Sequence, residues 1–186
     1  MFEPVIVTLG PICFLAVLFG GAVRLRRRNI DMDGEPPIHR TLFYASKYSL
    51  VMVWAAMVAD AWGLKFALLG RPATVKWVSL AVWVSGFTLL FIGRLGMGDS
   101  FRIGSPREGT SLKGDGLFGI SRNPMYLGLY LTVLASVLYT LNPAVLVLAA
   151  FVVGVHHQVV LAEEGYLRRV FGDAYSEYCR KVRRYL

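Results

Sequence analysis

Four stretches of the chain are nearly free of charge and apolar all round. Residues 4–23 contain no Asp, Glu, Lys or Arg and run into the basic stretch "RLRRR". Residues 48–64 are apolar apart from Asp60, and residues 77–93 are uncharged. Residues 124–155 continue for 32 positions without an acid or a base. A membrane helix needs about 20 apolar residues, so the last stretch is too long for one crossing. Asn142-Pro143 interrupts it, and Asn-Pro favours a turn. The pattern therefore predicts a helical hairpin, 124–141 and 144–161, and an all-α integral membrane protein with five transmembrane helices. Beyond Gly172, Ala174, Tyr178 and Val182 recur at helical spacing beside a basic face. That predicts an amphipathic tail helix on the cytoplasmic leaflet, with Asp173 able to cap it and its Tyr and Arg side chains as interfacial anchors.

Composition agrees with this reading. Of the 186 residues, 55% are hydrophobic and 17% are charged, against about 25% charged in an ordinary soluble domain. One membrane domain, 1–186, is expected: three N-terminal spans in 1–93, then a loop, hairpin and tail in 94–186. The net charge of +8 has a simpler explanation than nucleic-acid binding. With the N-terminus external, 17 of the 20 Lys and Arg residues fall on one side, and the positive-inside rule makes that side cytoplasmic. The C-terminus is then cytoplasmic as well. The first span is expected to be retained and not to act as a secretory signal, because "MFE" has no positive charge and the cations follow the apolar run. Asp60 is placed near the outer interface, and Lys47 is long enough to snorkel. Cys13 and Cys179 form neither a disulfide framework nor a metal motif, and no metal site is expected.

The candidate chemistry lies where the hairpin enters and leaves the membrane. In "GISRNPMYLG" Asn123 is a good N-cap and Pro124 a good first helical residue. The start of such a helix offers free N–H groups and partial positive charge to a carboxylate. Two helices of about 18 residues, each about 27 Å long, bring Glu163 and Glu164 back to the depth of Arg122 and Asn123. The loop before the hairpin is rich in glycine and able to fold over a ligand, but "GRLGMG" lacks the spacing of a dinucleotide fingerprint. His156 and His157 project about 100° apart on a helix and make a poor metal pair; one of them can face the cleft.

With "LKGDGLFGISRNPMYLG", the hairpin broken at "NP", "EEGYLRRVFGDAYSEY" and the closing "VRRYL", the sequence resembles the isoprenylcysteine carboxyl methyltransferase family, with the phospholipid N-methyltransferases as more distant relatives. The likeness covers roughly the C-terminal half. It implies a membrane-embedded methyltransferase dependent on S-adenosyl-L-methionine, its cofactor in a cytoplasm-facing pocket covered by the loop before the hairpin and by the C-terminal segment. By position it implies cofactor contacts at Thr110, Ser111, Leu112, Lys113, Phe118, Asn123, Pro124, Met125 and Tyr126, with Glu163 closing the site. Arg122 and Glu164 are the expected catalytic pair, beside the reacting group of a lipophilic or amphipathic substrate that enters from the membrane lipid. Asn123 stands where the family usually has His. Val159 stands where the prenylcysteine enzymes carry the arginine that engages the substrate carboxylate, which argues against a prenylcysteine acceptor.

Two other readings compete. Membrane sterol and steroid reductases, which use NADPH, share a similar hairpin and a "Pro-x-Tyr" start. A lipid-binding module without catalysis would also use apolar spans and an interfacial tail. The acidic pair followed by "FGDAY" favours the methyltransferase.

Overall fold

A computed structural model describes residues 2–27, 36–97 and 112–186. Thr110 and Ser111 lie outside the described residues. Five α-helices run α1 Phe2–Arg26, α2 Arg40–Ala61, α3 Ala73–Met97, α4 Pro124–Thr140 and α5 Pro143–Lys181, with a short 3-10 turn at Gly116–Gly119 before α4. Among the described residues there is no strand, only an isolated bridge between Ser121 and Arg183. The all-helical expectation holds. Four helices are long and apolar enough to cross a membrane, and α4, at 17 residues, is shorter. The protein is accordingly a multi-pass membrane protein. The second helix begins at Arg40, eight residues before the apolar window: its first two turns carry Arg40 and Lys47, which the hydropathy pattern excludes and the backbone tolerates.

The break at Asn142-Pro143 is where the hairpin turns. Leu141 takes the left-handed conformation at φ 42, and Asn142 caps α5 by accepting the Ala144 N–H at 2.9 Å. Asn123-Pro124 also opens a helix, but Asn123 makes no side-chain cap. That expected cap is corrected below, where its side chain is seen to serve a carboxylate.

Helices α3 and α4 pack most intimately, and glycine explains why. A Cβ on Gly86 would lie 2.9 Å from the Gly128 carbonyl oxygen, and one on Gly128 would lie 2.7 Å from that of Gly86. Only hydrogen side chains let these backbones touch, as in other membrane interfaces of small residues. Around this seam, Phe14, Trp54, Trp83 and Phe87 form an edge-packed aromatic core, with Trp83 and Phe87 ring centres 4.8 Å apart. The Trp54 indole N–H donates to Thr132 Oγ1 at 3.0 Å, tying α2 to α4. Met125 and Leu129, near the start of α4, pack against this core, while a second cluster of Val53, Val133, Val145, Ala149 and Val152 joins α2 and α4 to α5.

Candidate active site

The site is assembled from three parts of the chain. The first is the entry to α4. After the 3-10 turn, Arg122 donates its backbone N–H to the Arg183 carbonyl at 2.9 Å, so the chain termini of the hairpin unit run side by side. The second is the middle of α5, past its apolar stretch, where Glu163 and Glu164 follow Leu161. The third is the end of the chain. Gly172 leaves the helix at φ 51, a conformation that favours glycine, and turns the following helix and residues 182–186 back across the α4 entry.

Adjacent positions on a helix point about 100° apart, and the two glutamates accordingly have different partners. Glu163 accepts a hydrogen bond from the Tyr126 hydroxyl at 2.9 Å. Glu164, 5% exposed, is surrounded by donors. Arg122 reaches it through Nε at 3.2 Å, Asn123 through Nδ2 at 3.1 Å, and Arg184 through Nη2 at 2.9 Å. Hydrogen bonding to Glu164 pushes the Arg184 guanidinium up from its usual range. Asn123 Nδ2 also donates to the Arg184 carbonyl at 3.2 Å. The amide that the sequence assigns to a helix cap, where its oxygen would accept, is instead oriented by its Nδ2–H, which donates to a buried carboxylate. The remaining donors of Arg122 meet the Cys179 and Val182 carbonyls at 3.3 and 3.1 Å.

A cavity of about 390 Å³ lies against this cluster. Leu112, Lys113, Phe118, Arg122, Asn123, Pro124, Met125, Tyr126, Glu163 and Glu164 all line it. These are the ten expected site residues that fall in the described chain, drawn together from two separated segments. The cavity is two-sided in chemistry. Its polar end holds the start of α4 and the glutamates. Its apolar wing extends between α1 and α2, past Phe14, Leu50 and Trp54. Of the α4 N–H groups, Leu127 is the first to return a helical bond, to Asn123 O at 3.0 Å, which leaves the preceding N–H groups of Met125 and Tyr126 without intrahelical partners.

Among the cavity-lining residues that sequence reasoning missed, four are polar or aromatic side chains close to the candidate chemistry. Tyr175 is 1% exposed and faces inward, which corrects its assignment as an interfacial anchor. The kink at Gly172 rotates the tail helix so that its aromatic face meets the site. Tyr178 donates to the Phe118 carbonyl at 2.6 Å, pinning that helix to the turn before α4. Lys47 and Phe43 come from α2, the cation 4.0 Å from the ring centre. No local pattern links α2 to the hairpin, so nothing in the sequence signals these two. Val159 lines the cavity as well, as does His156, whose Nδ1 meets the Val152 carbonyl at 2.8 Å. His157 turns away, to the Tyr185 hydroxyl at 2.7 Å.

The phospholipid methyltransferase family model matches residues 72–174, more than half of the chain, covering α3, α4 and α5 as far as Ala174. The chain belongs to the phospholipid methyltransferase family. No curated protein matches it. Membership makes the protein a methyltransferase and points to lipid-like substrates. It does not favour the reductase reading. The family segment ends at Ala174, so Tyr175, Tyr178 and the residues that close over the α4 entry lie outside the matched part.

Proposed function

We propose that this phospholipid methyltransferase family member transfers a methyl group from S-adenosyl-L-methionine to an amphipathic acceptor, at the cytoplasmic end of a single five-span membrane domain. The observation that supports the reading is the two-sided cavity, with a polar end suited to a zwitterionic cofactor and an apolar wing lined by α1 and α2. Its volume falls within the roughly 300–1,000 Å³ of small-molecule sites. The donor set suits the cofactor as well. The free N–H groups of Met125 and Tyr126, just past Pro124 at the start of α4, receive a carboxylate. Glu163 takes the ribose hydroxyls or the amino group. The faces of Phe118 and Tyr126 attract a sulfonium, an effect of about 0.5–2 kcal/mol. Leu112 and Lys113 wall the entrance, with Thr110 and Ser111 as the contacts expected just before them.

The bound cofactor supplies an electrophilic methyl group. The chain's own residues position the partners and keep water out, which can account for most of the rate where the nucleophile is already electron-rich. Arg122 and Glu164 border this space, but their charges are engaged with one another and with Arg184. We therefore assign them the task of fixing the α4 entry and the chain end, in place of direct acid–base work. The cytoplasmic side follows from the basic residues gathered at this end of the bundle.

Thermal melting of the purified protein with S-adenosylhomocysteine and, separately, with NADPH tests the reading. Stabilisation by the first alone is expected. Stabilisation by NADPH alone would move the protein to the reductases, and no response to either would leave a lipid-binding module. Reporter fusions at Leu186 and Gly70 should report cytoplasmic and external locations respectively; the reverse would invert the proposed orientation.

A further inference from the structure

At the end of the bundle opposite the cavity, the loop 62–72 and the ends of the helices enclose an open recess of about 500 Å³, lined by Asp60, Lys65, Ala67, Arg71, Ala73 and Lys76. Its framework is well fixed. Asp60 accepts the Ala67 N–H at 2.9 Å and pairs with Arg71 at 2.8 Å. Arg71 also donates to the Tyr139 carbonyl, and its guanidinium lies 3.9 Å from the Tyr139 ring centre. Lys76, in the first turn of α3, pairs with Glu3 at 2.8 Å, and Glu3 accepts from the Tyr139 hydroxyl. Asn142 donates to the Phe66 carbonyl at 2.7 Å, which locks the loop to the hairpin turn. Among the described residues of this network, three cations face two carboxylates, and Lys65 carries the excess charge at the exposed rim. The first N–H groups of α3 add partial positive charge on the same side.

The surroundings of the recess point to what it takes. Trp62, Leu64, Leu68, Leu69 and Trp77 are all exposed around it. In a multi-pass membrane protein such side chains lie among lipid, and tryptophans collect at the depth of the headgroups. A basic recess set in that belt is at the level of the phosphates. We infer that this recess is a binding site for the phosphodiester of a membrane phospholipid, with Lys65 as the cation that holds the phosphate and the loop 62–69 packed against its acyl chains. The lipid seated there is distinct from any acceptor in the cavity at the other end. It would fasten the α2–α3 loop to the hairpin turn.

The test uses the detergent-solubilised full chain in native mass spectrometry, titrated with phosphatidylglycerol and with diacylglycerol of the same acyl chains, which lacks the phosphate. One tightly held equivalent of phosphatidylglycerol and none of diacylglycerol is expected. A juxtamembrane lysine contributes about 1 kcal/mol to anionic-lipid binding, so Lys65→Ala should weaken that equivalent about fivefold and Lys65→Glu about thirtyfold. Lys65→Arg should restore it, and S-adenosylhomocysteine should bind all four proteins alike, which keeps this outcome separate from that of the methyltransferase reading. Equal retention of phosphatidylglycerol by Lys65→Glu and wild type, or of diacylglycerol by wild type, would overturn the inference. Displacement of the lipid by equimolar glycerol 3-phosphate would overturn the lipid assignment, because a soluble anion would then suffice.

Discussion

Replacing Glu164 with alanine removes the one carboxylate on which Arg122, Asn123 and Arg184 converge. The cost can be worked from the geometry. Losing one partner of a buried ion pair commonly costs about 3–5 kcal/mol. Two features reduce it here. Arg184 is 37% exposed at its side chain and can turn to solvent, where ion pairs contribute little. Arg122 is only 11% exposed but keeps the Cys179 and Val182 carbonyls. A net loss of about 2–3 kcal/mol is therefore expected. It should fall on the docking of residues 182–186 and not on the helical bundle, because the aromatic core touches none of these groups. Local opening of that segment should rise about thirty- to one-hundred-and-fifty-fold. Amide exchange read by mass spectrometry checks this: peptides covering the chain end and Ser121–Asn123 should lose protection, while those from α1 and α3 stay unchanged. Glu164→Gln keeps the shape and some hydrogen bonds, and should open the segment less. Unchanged exchange at the chain end in Glu164→Ala would refute the latch, and uniform loss across all helices would show that the cluster supports the whole fold.

Glu163→Ala should weaken S-adenosylhomocysteine binding by at least about 1.5 kcal/mol in calorimetry, the low end for a hydrogen bond to a charged group; unaltered affinity would remove Glu163 from the cofactor site. A farnesylated cysteine analogue should be methylated at least about a hundredfold more slowly than a native acceptor, because Val159 offers no cation to a desolvated carboxylate, a deficit of several kcal/mol. Assays with labelled methyl donor on wild type and Val159→Arg should show the variant gaining activity on the analogue, and efficient turnover by wild type would mean that another group binds the carboxylate. Gly128→Ala should destabilise the protein by about 1–3 kcal/mol or more, since its Cβ would meet the Gly86 carbonyl at 2.7 Å and overpacked seams cost that much; a melting temperature equal to wild type would show that α3 and α4 can move apart freely.

Hydropathy alone was enough to find the apolar helices, though not their ends, because the cost of unpaired backbone groups in lipid forces every long apolar run into one, while α2 and α5 extend well beyond their apolar windows. The turn at Asn142-Pro143 was equally legible, since its chemistry is local: a cap, a proline and a left-handed residue before them. So was the meeting of Arg122 and Asn123 with the acidic pair, which follows from two antiparallel helices of similar length. The division of labour between Glu163 and Glu164 depended instead on which way α5 is rotated, and packing against α4 sets that rotation. Asn123 was read as a cap because capping is a local habit of asparagine, whereas a buried carboxylate from α5 takes its Nδ2–H and fixes the amide in an orientation in which its oxygen makes no cap. Tyr175 was read as a surface anchor because a periodic apolar face beside basic residues suits a membrane and a protein partner equally well. The positive φ at Gly172 decided between them, turning the face inward. Lys47 and Phe43 reach the cavity from α2, a helix far in sequence from the hairpin. Such contacts leave no periodic trace in the chain, so only the packing of the helices around the aromatic core could bring them to the site.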